Sequence, residues 1–317
     1  MGDGLLKLPT INAIGNVSPP WQVTWVTGKN PSIFSRHFRP LVETSLHRVL
    51  EQTGIGQRWV EGFSTLGENS FFDSILCTES KLKPTLVLKR IPHHRFVSPA
   101  FGFRFSSAVP KLDQFPSGVS ERFNFLCGFA IDQRIEQDCT VTLPRKFEMA
   151  ARSRLPDGKR YVGFCPGAGG VAKRWPLDRY LALARKAIGI GAMPVFYVGP
   201  EEADMVSLIK RGVPEALMPE IDLSKFNDGA SGPLLTIALA RKLALGVSND
   251  AGGGHLLAAG GRPQIRLYKS SHGIKFKSPY GYQESISAEN HGLRRISDIP
   301  VEIVWDKLLE VYESSEA

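Results

Sequence analysis

Eight consecutive residues, Ser248-Asn249-Asp250-Ala251-Gly252-Gly253-Gly254-His255, hold a polar pair, a carboxylate, three glycines and an imidazole. Glycines let backbone N–H groups approach a ligand without obstruction by Cβ. A helix that starts inside such a run adds unpaired donors and the positive end of its dipole. Together they suit a phosphate or pyrophosphate. A tight turn with Asp250 as helix N-cap would use the same residue types. Three glycines in a row, however, carry a conformational entropy cost that a plain turn does not require.

A second run, Cys165-Pro-Gly-Ala-Gly-Gly-Val-Ala-Lys-Arg-Trp-Pro176, places Lys173 and Arg174 just before a predicted helix start. Gly167, Gly169 and Ala172 match G-x-G-x-x-A, but in the dinucleotide motif the helix begins inside the glycines. Here Pro176 keeps Trp175 out of the helical region, so the helix begins near Pro176. No Gly-Lys-Ser/Thr follows, which excludes a Walker A loop. What remains is a basic loop for an anionic ligand, or a surface loop with solvated cations. Glu201 and Glu202 follow a strand and could hold ribose hydroxyls, or complement a helix dipole in its first turn. His93-His94 and His272 lack partners at metal-ligand spacing and read as loop residues. Asp3, in Gly2-Asp-Gly-Leu-Leu-Lys-Leu-Pro9, reads on its own as a surface acid near a terminus.

The elements that must carry these residues alternate. In the second half the strands are Arg160–Cys165, Pro194–Val198, Ala244–Ser248 and Gln264–Tyr268. The helices are Pro176–Ile190, Glu201–Lys210, Pro233–Leu243, Gly253–Gly260 and one from Val301. In that last helix Val301, Val304, Leu308 and Val311 form one stripe that must be covered. Strands alternating with helices imply a parallel sheet covered on both faces. In the first half, Gln22–Thr27 and Phe72–Cys77 read as strands. Apolar residues from Ser32 to Gln52 recur at near-helical spacing. Lys83–Ser107 reads as one strand with long loops. The stretch from Thr140 to Asp157, with Pro144, Pro156 and several bases, reads as the interdomain linker.

The 317 residues suit two domains or one large one. With 42% apolar and 22% charged residues the chain is globular, which excludes a disordered, collagenous or disulfide-scaffold protein. Four separated cysteines and no CxxC pair give neither a zinc knuckle nor a redox pair, and point to reduced thiols in the cytosol. There is no basic n-region with an apolar h-region at the start, and no run long enough to span a membrane. The net charge of +8 favours phosphate-rich partners. It is dispersed, which argues against nucleic acid.

Three segments together resemble one family. They are Asn249-Asp-Ala-Gly-Gly-Gly-His255, Cys165 to Pro176 with its Lys-Arg-Trp-Pro end, and Gly2-Asp3 leading to Leu8-Pro9. Their order and spacing resemble glycosyltransferase family 9, the ADP-heptose:lipopolysaccharide heptosyltransferases. Phe72-Asp73 to Thr78 is similar to that family's mid-domain strand. The resemblance implies an α/β, GT-B-like chain of two facing Rossmann-like domains, with parallel sheets and an interdomain cleft. Residues 1–150 would form the acceptor side, and 151–317 the nucleotide-sugar domain with a terminal helix. It implies a cytoplasmic enzyme, in peripheral contact with the inner-membrane surface. That enzyme transfers heptose from ADP-heptose to lipopolysaccharide or another anionic glycan, inverting, without metal or cofactor.

On the matching positions, Asp250, Ala251, Gly252 and Gly253 would cradle the diphosphate, with Gly167, Arg174 and His255 also on the donor. Lys173 would neutralise the leaving group, Glu201 or Glu202 would meet the ribose, and Asp3 would be the general base. The chain departs from the family pattern in three places. Only Met1 precedes Gly2-Asp3, where the family has an apolar strand, so the first strand of the acceptor domain is expected to be missing. Asp250-Ala251-Gly252 replaces Asp-Ser/Thr-Gly, and Lys269-Ser270-Ser271 replaces Gly-Pro-Thr. A nucleotide-sugar epimerase, or a sugar-nucleotide-binding protein without transfer activity, would use the same architecture.

Overall fold

The computed structural model describes residues 1–55, 71–111, 113, 115–221, 226 and 228–314. The chain divides into two compact units, Lys7–Asp138 on the one hand and Met1–Leu6 with Cys139–Ala317 on the other. The division falls after Asp138, before the stretch expected to be the linker. That stretch contains a helix, Arg145–Arg154, which buries Phe147, Ala150 and Ala151. The apolar face of this helix, hidden among basic residues, is why composition suggested a linker.

The chain opens on α1 (Gly2–Gly15), whose Leu5, Leu6, Leu8, Ile11 and Ile14 are buried. The unit Lys7–Asp138 continues with β1 (Val23–Val26), α2 (Arg39–Val42), β2 (Leu46–Leu50) and β3 (Phe72–Leu76). It ends with α3 (Leu82–Lys89), β4 (His93–Val97) and α4 (Val119–Ile131). The helical spacing expected over Ser32–Gln52 is overturned. Helix there is limited to a turn at Ile33–Ser35 and the single turn of α2. Leu46–Leu50 pairs in parallel with β1, Val26 facing Leu50. Apolar positions at 46, 49 and 50 fit either period, and sheet pairing decides between them.

His93 and His94 start β4 and are not loop residues. The expected loops before them contain α3. The side chain of His272 lies outside those described. Helix α4 was not anticipated, although Phe123, Leu126, Cys127 and Ala130 carry its buried face at helical intervals. β1 pairs only with β2, and β3 only with β4, among the described residues. A cavity of about 280 Å³ touches both pairs, with Trp25, Ile75, Phe123 and Cys127 among its walls.

The other unit contains α5 (Arg145–Arg154), β5 (Tyr161–Cys165), α6 (Leu177–Gly189), β6 (Met193–Phe196), α7 (Met205–Gly212) and α8 (Pro233–Ala240). It continues with β7 (Leu243–Asn249), α9 (Gly252–Ala259), β8 (Gln264–Tyr268), β9 (Gln283–Ser287) and α10 (Val301–Ser314). Its strands form one parallel sheet in the order β6-β5-β7-β8-β9. Numbered within the unit this is 2-1-3-4-5, a doubly wound order with its reversal between β5 and β7. The strand β9 escaped sequence reading, because Gln-Glu-Ser-Ile-Ser lacks an apolar run.

Parallel strands covered on both faces need apolar side chains throughout. Phe164, Phe196, Leu245, Val247, Ile265 and Leu267 supply them. The stripe expected on α10 is realised, with Val304, Leu308 and Val311 buried and Val301 packed at its edge. Burial pushes the Cys127 and Cys165 thiols up to about 12, which keeps both protonated and unreactive. No helix among the described residues is long and apolar enough to cross a membrane.

The terminal helix therefore holds the sheet through its stripe and not through its charges. Leu308→Ala is expected to lower unfolding free energy by about 2–5 kcal/mol in urea titration. Glu310→Ala, which removes only the exposed partner of Lys307, should change it by less than about 0.5 kcal/mol.

Candidate functional site

In a doubly wound sheet, ligands bind outside the carboxyl ends of the strands where the order reverses. Here that place lies between the segments leaving β5 and β7. Both glycine runs of the sequence leave the sheet there, one at Pro166 and the other at Asp250.

Asn249, the last residue of β7, is fully buried and ties the two together. Its Nδ2 donates to the Pro166 carbonyl at 2.7 Å. Its Oδ1 accepts from the Trp175 backbone N–H at 3.0 Å and the Tyr180 hydroxyl at 3.1 Å. Trp175 is fixed in turn by its indole N–H, 2.8 Å from the Ile299 carbonyl. Gln264 secures the other side of β7, donating to Ser248 Oγ and the Gly254 carbonyl, both at 2.9 Å.

The three glycines divide into two kinds. A Cβ on Gly253 would stand 2.4 Å from Cys165 Sγ, and one on Gly254 would stand 2.7 Å from Ser248 Oγ. Those two are required by the protein's own packing. A Cβ on Gly252 would meet only Met1 Cβ, at 3.9 Å. The helix α9 starts there, with Ala251 as its N-cap and no side-chain cap. Asp250 is therefore not the N-cap. The first helical N–H groups, from Gly252 onward, have no acceptor within the helix.

Asp250 is held instead by Arg266 of β8, whose side chain is fully buried. Nη2 lies 3.1 Å from Asp250 Oδ1. The same nitrogen is 3.3 Å from His255 Nε2. Burial, the Arg266 guanidinium and the amino terminus push His255 down to about 3, so its ring is neutral. Arg266 was not picked out from the sequence, where it is one polar letter in an apolar strand.

The basic loop separates its two cations. Arg174 bends back, its Nε donating to the Ala168 carbonyl at 2.9 Å and its Nη2 lying 3.9 Å from Glu202 Oε1. Lys173 ends a single 3-10 turn, Val171–Lys173, and is exposed. The structure also separates the two glutamates. Glu201 faces solvent. Glu202 is buried, accepts from the Gly199 N–H at 3.2 Å, and abuts Gly167, where a Cβ would stand 2.6 Å from Oε1. The helix expected at Glu201–Lys210 is a 3-10 turn, Pro200–Glu202, followed by α7.

Glu220 escaped sequence reading. Burial raises it to about 7, and its carboxylate accepts from the Thr236 hydroxyl. A cavity of about 440 Å³ adjoins the basic loop, with Ala172, Arg174, Met205, Lys269 and Arg295 on its walls. Asp3 lies in the first turn of α1, exposed. Gly2 sits tight against His255, where a Cβ would stand 2.6 Å from Cδ2. The start of α1 and the start of α9 are thus neighbours within one unit.

The sequence pattern of glycosyltransferase family 9 (heptosyltransferase) matches residues 121–295. Lipooligosaccharide heptosyltransferase 2 of Haemophilus influenzae is 32% identical over 176 residues, 55% of this chain and 45% of that protein. The chain thus aligns with about half the length of that curated relative. Among solved structures, a glycosyl transferase family 9 protein from Veillonella parvula superposes with a TM-score of 0.74 at 16% identity, covering 99% of this chain and 94% of that one. E. coli heptosyltransferase WaaC, solved with ADP, gives 0.65 at 17% identity over 98% and 96%. These likenesses are in fold, the GT-B type with parallel α/β sheets expected above.

The neutral His255 makes stability depend on pH in a definite sense. Unfolded histidine takes a proton below about 6.5, and the folded ring does not until about 3. Stability is fully present above 6.5 and should fall as pH drops through this window. His255→Gln should flatten that slope in denaturation series between pH 4 and 7. Asn249→Ala should cost about 2–4 kcal/mol in the same assay, because it strands buried donors and an acceptor.

Proposed function

The chain belongs to glycosyltransferase family 9, and on that premise we propose that it transfers heptose from ADP-heptose to a lipopolysaccharide acceptor, with inversion. The observation that carries this reading is the open helix start at Gly252, at the sheet's order reversal, where the segments bearing Lys173 and Asp250 both leave their strands. WaaC was solved with ADP, which supports an adenosine diphosphate donor here.

The roles follow from charge. A carboxylate repels a diphosphate, so Asp250 does not touch the phosphates. Its second oxygen accepts from a sugar hydroxyl, and the N–H groups of Gly252 and Gly253 take the phosphate oxygens. Lys173, whose side chain makes no such local bonds as occupy Arg174 among the described residues, meets the diphosphate as negative charge develops on it. Glu202, the inward-turned glutamate, accepts from the ribose. Asp3 takes the proton from the acceptor hydroxyl. That oxygen then attacks the anomeric carbon from the face opposite the diphosphate, which leaves. His255, neutral, supports the cradle without adding charge. Gly167 leaves room for Glu202. A lipid-anchored acceptor would bring the reaction to a membrane surface.

The test is release of ADP from ADP-heptose with and without a heptose-accepting glycolipid. The proposal requires release that depends on the acceptor. Turnover without acceptor would support an epimerase or hydrolase, and binding without turnover a non-catalytic receptor. Gly252→Val should keep the fold, since the site of its Cβ is open, and weaken ADP binding at least tenfold by calorimetry, about 1.4 kcal/mol. Lys173→Ala should lower turnover about 10²-fold and affinity much less. A normal rate in Lys173→Ala with collapse in Arg174→Ala would exchange the two roles.

A further inference from the structure

An arginine in the middle of β8 is out of place. Ile265 and Leu267 beside it are fully buried, as a strand covered on both faces demands, and so is Arg266. Burying a guanidinium is costly unless its hydrogens are used. Three contacts use them. Nη1 donates to the Phe276 carbonyl at 3.2 Å. The two hydrogens of Nη2 serve Asp250 Oδ1 at 3.1 Å and His255 Nε2 at 3.3 Å. The cation also lies 5.4 Å from the centre of the Tyr268 ring. Nε has no acceptor among the described residues.

Two of these partners stand on either side of the open helix start. Asp250 precedes it by two residues and His255 follows it by three. A guanidinium only donates, so the nitrogen of His255 that faces it must accept. The proton of the neutral ring then sits on Nδ1. That atom is buried, in a residue 6% exposed, and has no partner among the described residues. The same helix therefore carries a buried donor with no acceptor among the described residues and, at its start, N–H groups with no acceptor inside the helix. An oxygen-rich ligand would supply acceptors for the helix start.

We propose that Arg266 is the positioning residue of the donor site. It draws the Asp250 carboxylate back from the helix start, so that a diphosphate can approach Gly252, and it fixes the His255 tautomer that leaves Nδ1–H to donate. This rests on the donor-site reading given above. Arg266 touches neither sugar nor phosphate. It acts through Asp250, offsetting a negative charge that would otherwise stand beside the incoming anion. A charge pair with one member fully buried couples strongly, since removing that member leaves the other facing the ligand's own charge.

The test is a double-mutant cycle on Arg266 and Asp250, read as ADP affinity by calorimetry. Arg266→Met should weaken ADP binding at least tenfold. Adding Asp250→Asn to that variant should recover most of the loss, because the uncompensated carboxylate is gone. Arg266→Lys, which keeps the charge and loses the fork, should lie between wild type and Arg266→Met. A residue that only supports the fold would give a double variant no better than Arg266→Met, and that result would overturn the proposal, as would unchanged affinity in Arg266→Met.

A second measurement stands apart from the donor. Nitrogen-15 shifts of the His255 ring in the ligand-free protein should report Nδ1–H in wild type and a mixed tautomer in Arg266→Met. An Nε2–H tautomer in wild type would refute the geometry whatever the protein binds. If wild type binds no ADP while Nδ1–H is observed, the donor reading fails and Arg266 still sets the ring.

Discussion

The site depends on the three hydrogen bonds of one buried amide. Asn249 ends β7, but its partners belong to the segment leaving β5 and to the start of α6. A side chain that both donates and accepts can join a carbonyl on one segment to an N–H and a hydroxyl on another. Aspartate could not donate to the Pro166 carbonyl, and leucine could do neither. With the amide bonded at both ends and fully buried, protein groups close the base of the crevice. The low dielectric that results strengthens each charge contact above it. The order of the chain is explained as well: the residue before Asp250 closes the crevice floor, and the residues after it form the wall.

Charge in this unit is graded by depth. Arg266 is fully buried and committed to Asp250 and His255. Arg174 is part-exposed and committed to the Ala168 carbonyl and Glu202. Lys173, outermost, is exposed. The buried cation can hold geometry but cannot move to follow a leaving group. The exposed one can reach and release, as the proposed contact with a leaving diphosphate requires. His255 fits the same scheme, since a neutral ring can lie beside a guanidinium at a hydrogen-bonded distance and an imidazolium could not.

The sequence carried the regular parts of this arrangement well. The strands around Arg160–Cys165 and Gln264–Tyr268 announce themselves by apolar runs, and the helix after Pro176 by its proline and its spacing. The glycine runs marked where the chain turns at the sheet end. What was illegible depends on distant partners. Nothing near Arg266 in sequence says that Asp250 will meet it, and nothing near Asn249 indicates Pro166. Glu201 and Glu202 differ only in which way a 3-10 turn points them. The stretch 46–50 carries both periodicities, and a strand from another part of the chain resolves it. β9 owes its place to its neighbour β8 and not to its own composition.

The glycine run also shows how a motif can mislead about its cause. Gly253 and Gly254 would be needed even if nothing bound, because Cys165 and Ser248 leave no space for a side chain. Their presence measures how closely α9 approaches β5 and β7. Gly252 is different, since the protein leaves it open. A motif of three glycines thus contains two that the fold explains and one that it does not. The unexplained one lies at the helix start, at the order reversal of the sheet, three residues before His255. Function is argued from such a residue and its surroundings, since the fold alone is shared by many chemistries. Where the packing already demands a residue, its identity says nothing further about a ligand.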